Sequence, residues 1–220
     1  MRSCLQSLVF FFSLLALTTT AADGTLEQVR SKGELRVGTD IPYGVMEFYD
    51  ADGNAVGIDM DIGREIANEL DVRMTVVPMP FDQLFDALKA KQVDLLISAV
   101  TITPERQEEM LFSAPYLDTG LSLAVREGTA GITTTSDLSG KRLGVLSGTT
   151  GEAFAQALPN NAAIDIVRYQ KNEERLAALA SGDIDASIVH FMTQSISGIK
   201  TVGLPLQTSY YGVVGRLESN

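Results

Sequence analysis

The stretch "DLLISAVTITPERQEEMLFSAPY", residues 94–116, puts reactive side chains where an apolar strand gives way to a charged helix. Thr103 reads as the helix N-cap and Pro104 as the first helical residue, so Arg106 takes the third helical position. A cation there faces the positive end of the helix dipole, at a cost of about 0.3–1 kcal/mol. Free N–H groups, the hydroxyls of Thr101 and Thr103, and a planar guanidinium together suit a carboxylate, which arginine holds through two parallel bonds. Each charge-assisted bond contributes about 1.5–3 kcal/mol, which exceeds the dipole penalty. The alternative is an exposed Arg106 paired with Glu105 or Glu109 of its own helix.

A second turn of the same kind lies in "RLGVLSGTTGEAF". Ser147-Gly148-Thr149-Thr150-Gly151 follows a strand and precedes a helix starting near Glu152, so the N–H groups around Thr149 and Thr150 could take the same anion. The turn lacks the lysine and spacing of a phosphate loop, and the chain has no G-x-S-x-G nucleophile elbow. Alone, such a turn is equally a plain helix cap. Tyr43, in "TDIPYGVMEF", and Phe81, in "VVPMPFDQLF", follow the first two strands and fall on the same sheet edge as Arg106. They could wall the apolar part of a ligand; Phe81 could equally staple a helix starting near Asp82.

The elements that position these residues come in two matching sets. "KGELRVGTD" and "LSGKRLGVLSG" each place a short strand after a Lys/Gly turn. "LFDALKAKQVDLLISAV" and "RLAALASGDIDASIVH" each give an amphipathic helix, a break, and an apolar strand led by Asp94 or Asp185. Strands alternating with helices imply an α/β fold with mainly parallel sheets flanked by helices. The repeated start favours two lobes over a single six-stranded sheet. Residues 23–118 and 208–220 form the expected first lobe and 119–207 the second. "SAPYLDTGLSLAVREGT" and "LPLQTSYYGVVGRL" are then two adjacent hinge crossings. The chain reaches Asn220 just after its return to the first lobe, and a C-terminal truncation is expected there.

Residues 1–22 have the layout of a secretory signal peptide: Arg2, an apolar run from Leu8 to Leu17, then Thr20-Ala21-Ala22. Cys4, the one cysteine, lies before that run, so the remaining 198 residues hold no disulfide. Losing only Arg2 takes the net charge from −11 to −12. Such acidity argues against nucleic acid and anionic membrane surfaces as partners.

"GIDMDIGREIANEL", "VDLLISAVTITPERQEEMLFSAPY" and "GVLSGTTGEAF", in that order, resemble the bacterial extracellular solute-binding proteins of family 3, the polar-amino-acid receptors of ABC importers. The resemblance covers nearly all of residues 25–216. It implies a type II-like periplasmic binding protein, monomeric and without cofactor or metal. Such a receptor closes on an amino acid or related carboxylate and delivers it to an ABC transporter permease. Carried over by motif, Arg106 and Thr101 would grip the α-carboxylate with the backbone around Thr149 and Thr150. Ser98 or Ala99 and Asp40 would face the α-ammonium, and Tyr43 and Phe81 would flank the side chain. Asp59 and Asp61 read as helix-cap residues.

One position departs from the family pattern. In "GDIDASIVHFMTQ", His190, the only histidine, stands where a second ammonium-binding aspartate is usual. A fixed negative charge is thereby exchanged for a group that is neutral or positive near pH 7. The expected ligand is then not a standard α-amino acid, unless the register is off by one and His190 only lines the hinge. "PYGVMEF" also lacks the usual Pro-Phe before Glu47, so side-chain selectivity does not carry over.

Two other classes remain. One is an enzyme on the same scaffold, resembling cyclohexadienyl dehydratase, for which His190 with Glu47 or Asp40 is the one acid/base set. The other is a sensory binding module of a larger membrane protein.

Overall fold

The computed structural model describes residues 25–190 and 197–217. The expected signal peptide, with Cys4, lies outside the described residues. Two five-stranded sheets carry the fold. In the first, β1 (Glu34–Thr39) lies parallel to β4 (Arg73–Pro78) on one side and β5 (Leu95–Leu96) on the other. Next to β5, β12 (Val214–Arg216) runs antiparallel and pairs in turn with β6 (Met110–Phe112). In the second, β8 (Arg142–Leu146) lies parallel to β9 (Asp165–Tyr169) and β10 (Ala186–His190). The antiparallel pair β7 (Leu117–Arg126) and β11 (Ile199–Tyr211) completes it beside β10. A two-stranded ribbon, β2 (Phe48–Tyr49) with β3 (Ala55–Val56), stands apart.

The internal repeat has a physical counterpart at the foot of each sheet. The Arg36 N–H donates to Asp94 Oδ2 at 2.9 Å while the Asp94 N–H donates to the Arg36 carbonyl at 2.8 Å. In the second sheet, Arg142 N–H meets Asp185 Oδ2 at 2.8 Å and Asp185 N–H meets the Arg142 carbonyl at 2.9 Å. Both guanidiniums also reach the same carboxylates. The aspartate at the head of each strand thus holds a backbone group of its neighbour where the ladder has yet to start.

Helices cover the sheets because apolar residues recur at helical spacing. α3 (Phe81–Lys89) buries Phe81, Leu84, Ala87 and Leu88; it begins at Phe81 itself, one residue before the expected start. α2 (Ile58–Glu69) buries Met60, Gly63 and Ala67, and a Cβ at Gly63 would stand 2.7 Å from Met74 Sδ. α6 (Asn172–Ser181) buries Leu176 and Leu179 and stops at Gly182, in the left-handed region at φ 89°. Burying a leucine fully contributes about 1.5–3 kcal/mol, so Leu84, Leu88 and Leu179, all wholly covered, anchor these faces.

The two expected crossings lie side by side. Their antiparallel ladder runs on to Leu117↔Tyr211, so residues 208–211 still pair within the second sheet before β12 returns to the first. The Tyr116 N–H donates to the Tyr211 carbonyl at 3.0 Å at the end of that ladder.

Candidate functional site

Arg106 sits on α4 (Pro104–Glu109), a helix of six residues whose N-cap is Thr103 and whose first residue is proline. Thr103 Oγ1 accepts from the Arg106 N–H at 3.3 Å. The side chain turns away from its own helix. It donates to the Thr101 carbonyl at 2.9 Å and, across to the second sheet, to the Gly148 carbonyl at 3.0 Å. Its guanidinium carbon lies 4.8 Å from the Phe85 ring centre and 5.5 Å from that of Phe81, a cation–π seat. The alternative pairing with Glu109 is not made, because Glu109 binds Lys89 at 2.5 Å. Desolvation lowers the Arg106 pKa to about 10, and the group stays charged at neutral pH. A guanidinium has five N–H donors; two carbonyls leave donors for a guest.

The second turn faces it. α5 (Thr150–Gln156) starts at Thr150, two residues before the expected Glu152, and Thr149 is its N-cap, accepting from the Glu152 N–H at 3.4 Å. Glu152 in turn accepts from the Gly148 N–H at 2.8 Å. Thr150 Oγ1 stands 3.5 Å from Thr101 Oγ1, so hydroxyls from the two lobes meet.

On the first lobe, Ser98 and Ala99 follow β5 in a turn where Ala99 is held at φ 46°, a left-handed conformation uncommon outside glycine. What fixes it is Asp59. Its Oδ2 accepts the Ala99 N–H at 2.5 Å and its Oδ1 the Tyr116 hydroxyl at 2.8 Å, and the residue is wholly buried. Asp59 was expected to cap α2, but the cap is Gly57 and Asp59 instead braces the binding turn. Asp61 is an exposed partner of Arg64 rather than a cap. The Ser98 hydroxyl donates to Glu47 Oε1 at 3.0 Å and accepts the Asp40 N–H at 2.8 Å. Glu47 is completely covered, and burial together with the neighbouring Asp59 drives its pKa well up.

Asp40 is 8 % exposed and its Oδ2 meets no partner among the described residues. Burial raises its pKa to about 7, with Glu173 and Asp82 adding negative potential. His190, at the end of β10, hydrogen-bonds through Nδ1 to the Tyr43 hydroxyl at 3.0 Å and lies 5.6 Å from the Tyr211 ring. Burial, then the charges of Arg175 and Arg106, push the imidazole down to about 3. His190 is therefore neutral at physiological pH.

Asp40, Tyr43, Phe81, Ser98, Ala99, Thr101, Arg106, Thr149, Thr150 and His190 all line one cavity between the sheets, joined by Leu146. Its atom-free space is about 300 Å³, part of it open to solvent. Sequence reasoning missed Leu146 and the bracing role of Asp59. For Asp59 the signal was a carboxylate on the same buried helix face as Met60 and Gly63. Of the acid/base set expected for an enzyme, Asp40 lines the cavity with His190, the His190 ring bonds the Tyr43 hydroxyl, and Glu47 binds Ser98.

Residues 35–149 match the family model of the bacterial extracellular solute-binding proteins, family 3. The chain belongs to this family. It is 34 % identical over 180 residues to the lysine/arginine/ornithine-binding periplasmic protein of Escherichia coli strain K12, covering 82 % of this chain and 68 % of that one. This family-3 chain thus spans about two thirds of that relative's length. Among solved structures, it superposes on the arginine-bound form of a truncated arginine-binding protein of T. maritima with a TM-score of 0.82 and 33 % identity, over 86 % of this chain and 91 % of the other. It also superposes on an ancestral amino acid-binding protein, a precursor of cyclohexadienyl dehydratase, with a TM-score of 0.81 and 30 % identity, over 88 % and 86 %.

Proposed function

We propose that the chain is a periplasmic receptor for an amino acid or related small carboxylate, which it delivers to an ABC-type importer by closing about its two crossings. The observation that carries this reading is the convergence of Arg106, the Thr149–Thr150 turn and Asp40 on one cavity between the sheets. A guest's carboxylate would take the free Arg106 donors with the helix-start N–H groups of α5. A guest's cation would meet Asp40. The first lobe supplies Arg106 and Asp40 and the second the Thr149–Thr150 turn, so only the closed form gives the carboxylate all its donors, and binding shifts the population toward it. In this reading residues 23–118 with 208–220 form one lobe and 119–207 the other, residues 1–22 direct export, and the chain acts as a monomer with a permease as its protein partner.

The likeness to a dehydratase precursor gives a second reading, an enzyme on this scaffold. A neutral His190 bonded to Tyr43 and a Glu47 turned toward Ser98 weigh against it.

A thermal-shift panel of amino acids, opines and small organic acids tests the receptor. A ligand at one hundred times its Kd stabilises by about 2.7 kcal/mol, which raises the Tm of a chain this size by roughly 5–10 °C. No rise with any member, or turnover of a prephenate-like acid, would overturn the proposal.

A further inference from the structure

Charges around the cavity are unequal in a way that bears on the ligand. Among the described residues that line it, Asp40 is the sole carboxylate and Arg106 the sole cation. Behind the second-lobe wall lies another cation. Arg175, on α6, is 2 % exposed. Its guanidinium donates to Ser187 Oγ at 3.2 Å, to Asn172 Oδ1 at 2.6 Å and to the Ile188 carbonyl. Among the described residues it makes no ion pair and its Nε has no hydrogen-bond partner; the carboxylate whose field reaches it is Asp40 of the cavity. Residues 191–196, which follow His190, contain no Asp or Glu to neutralise it. Ser187 and Ile188 belong to the strand that delivers His190, so the buried charge sits beneath the place where His190 meets a guest.

A buried charge without a direct ion-pair partner acts at long range because little water screens it. A guest's carboxylate is met by Arg106 and one cationic group by Asp40. A second cationic group finds no further carboxylate in the lining, where Glu173 and Asp82 act only through Asp40 from outside it, and is turned toward His190 and Arg175. We infer that Arg175, acting from behind His190, tunes this cavity to ligands with one carboxylate and at most one cationic group, and disfavours free arginine and lysine. This inference rests on the receptor reading and narrows its ligand class to molecules of zero or negative net charge.

Three probes of nearly one shape separate the cases by calorimetry on the full chain. L-arginine carries two cations, L-citrulline keeps only the α-ammonium, and 5-guanidinopentanoate keeps only the guanidinium. The expected result is that citrulline or 5-guanidinopentanoate binds tighter than arginine by about tenfold or more. Arg175→Met narrows that gap, Arg175→Lys preserves it, and His190→Asp moves the preference toward arginine. Arginine as the tightest ligand of the unaltered chain overturns the inference and leaves the receptor standing. An unchanged gap in folded Arg175→Met also overturns it; if that variant does not fold, an unchanged gap in His190→Asp decides in the same sense. No heat from any probe, with no shift anywhere in the wider panel, overturns the receptor reading and this inference together.

Discussion

The Tyr43 hydroxyl of the first lobe lies 3.0 Å from His190 Nδ1 of the second, a buried hydrogen bond that joins the two sheets across the cavity floor. Tyr43 arrives on the loop after β1, and His190 arrives as the last residue of β10. Both rings are desolvated, which drives the phenol up to about 12 and the imidazole down to about 3. A net hydrogen bond of this kind contributes about 0.5–1.5 kcal/mol. Tyr43→Phe should therefore release the ligand-free protein toward an open form, seen as a larger radius of gyration in small-angle scattering. An unchanged radius would show that the bond does not hold the lobes.

Gly148 sits at φ 74° on the turn that approaches the first lobe. A Cβ placed there would stand 2.9 Å from Asp82 Cβ and 3.0 Å from Asp82 Cα, on the first turn of α3. Gly148→Ala combines this clash with about 1–2 kcal/mol of left-handed strain. The variant should fold but close poorly, weakening ligand binding by about tenfold or more. Calorimetry with the best ligand of the panel checks this, and wild-type affinity would mean the lobes do not need to come this close.

Glu47 and Asp59 place two carboxyls side by side in the core, and Glu47 has its pKa raised above the ordinary 4.5 by burial and by Asp59. A carboxyl raised in the folded state contributes its full stability below its unfolded pKa and loses it as pH climbs through the folded value. Glu47→Gln keeps the shape and removes the titration. Its Tm relative to the unaltered chain should therefore rise as pH is taken from 5 to 8. A difference that stays flat with pH would mean that Glu47 is not protonated in the folded chain.

Much of this was legible because it is local. The Thr103-Pro104 start fixes where Arg106 emerges, and the Asp94 and Asp185 strand heads announce the repeat that the paired arginine contacts make physical. Strand ends and helix starts on one edge pointed to Tyr43, Phe81, Thr101, Arg106, Thr149 and Thr150, whereas Asp40, Ser98, Ala99 and His190 came from the resemblance to the family. What stayed hidden depends on partners distant in sequence. Asp59 looks like a helix-start acid until Ala99, forty residues later, is seen to need an acceptor. Arg175, in "NEERLAALA", was not singled out from the sequence. Yet Asn172, Arg175, Leu176 and Leu179 share the buried face at helical spacing, and a charge on an apolar stripe was the available clue.

The most direct measurement is ligand-induced stabilisation in Arg106→Ala, with the apo melting temperature and circular dichroism read alongside. The guanidinium seats on Thr101, Gly148, Phe81 and Phe85 without an ion pair among the described residues. The account predicts an apo fold close to that of the unaltered chain and no thermal shift with a ligand that stabilises the parent by several degrees. A full shift in Arg106→Ala would contradict it, because the carboxylate would then be held by something other than this arginine.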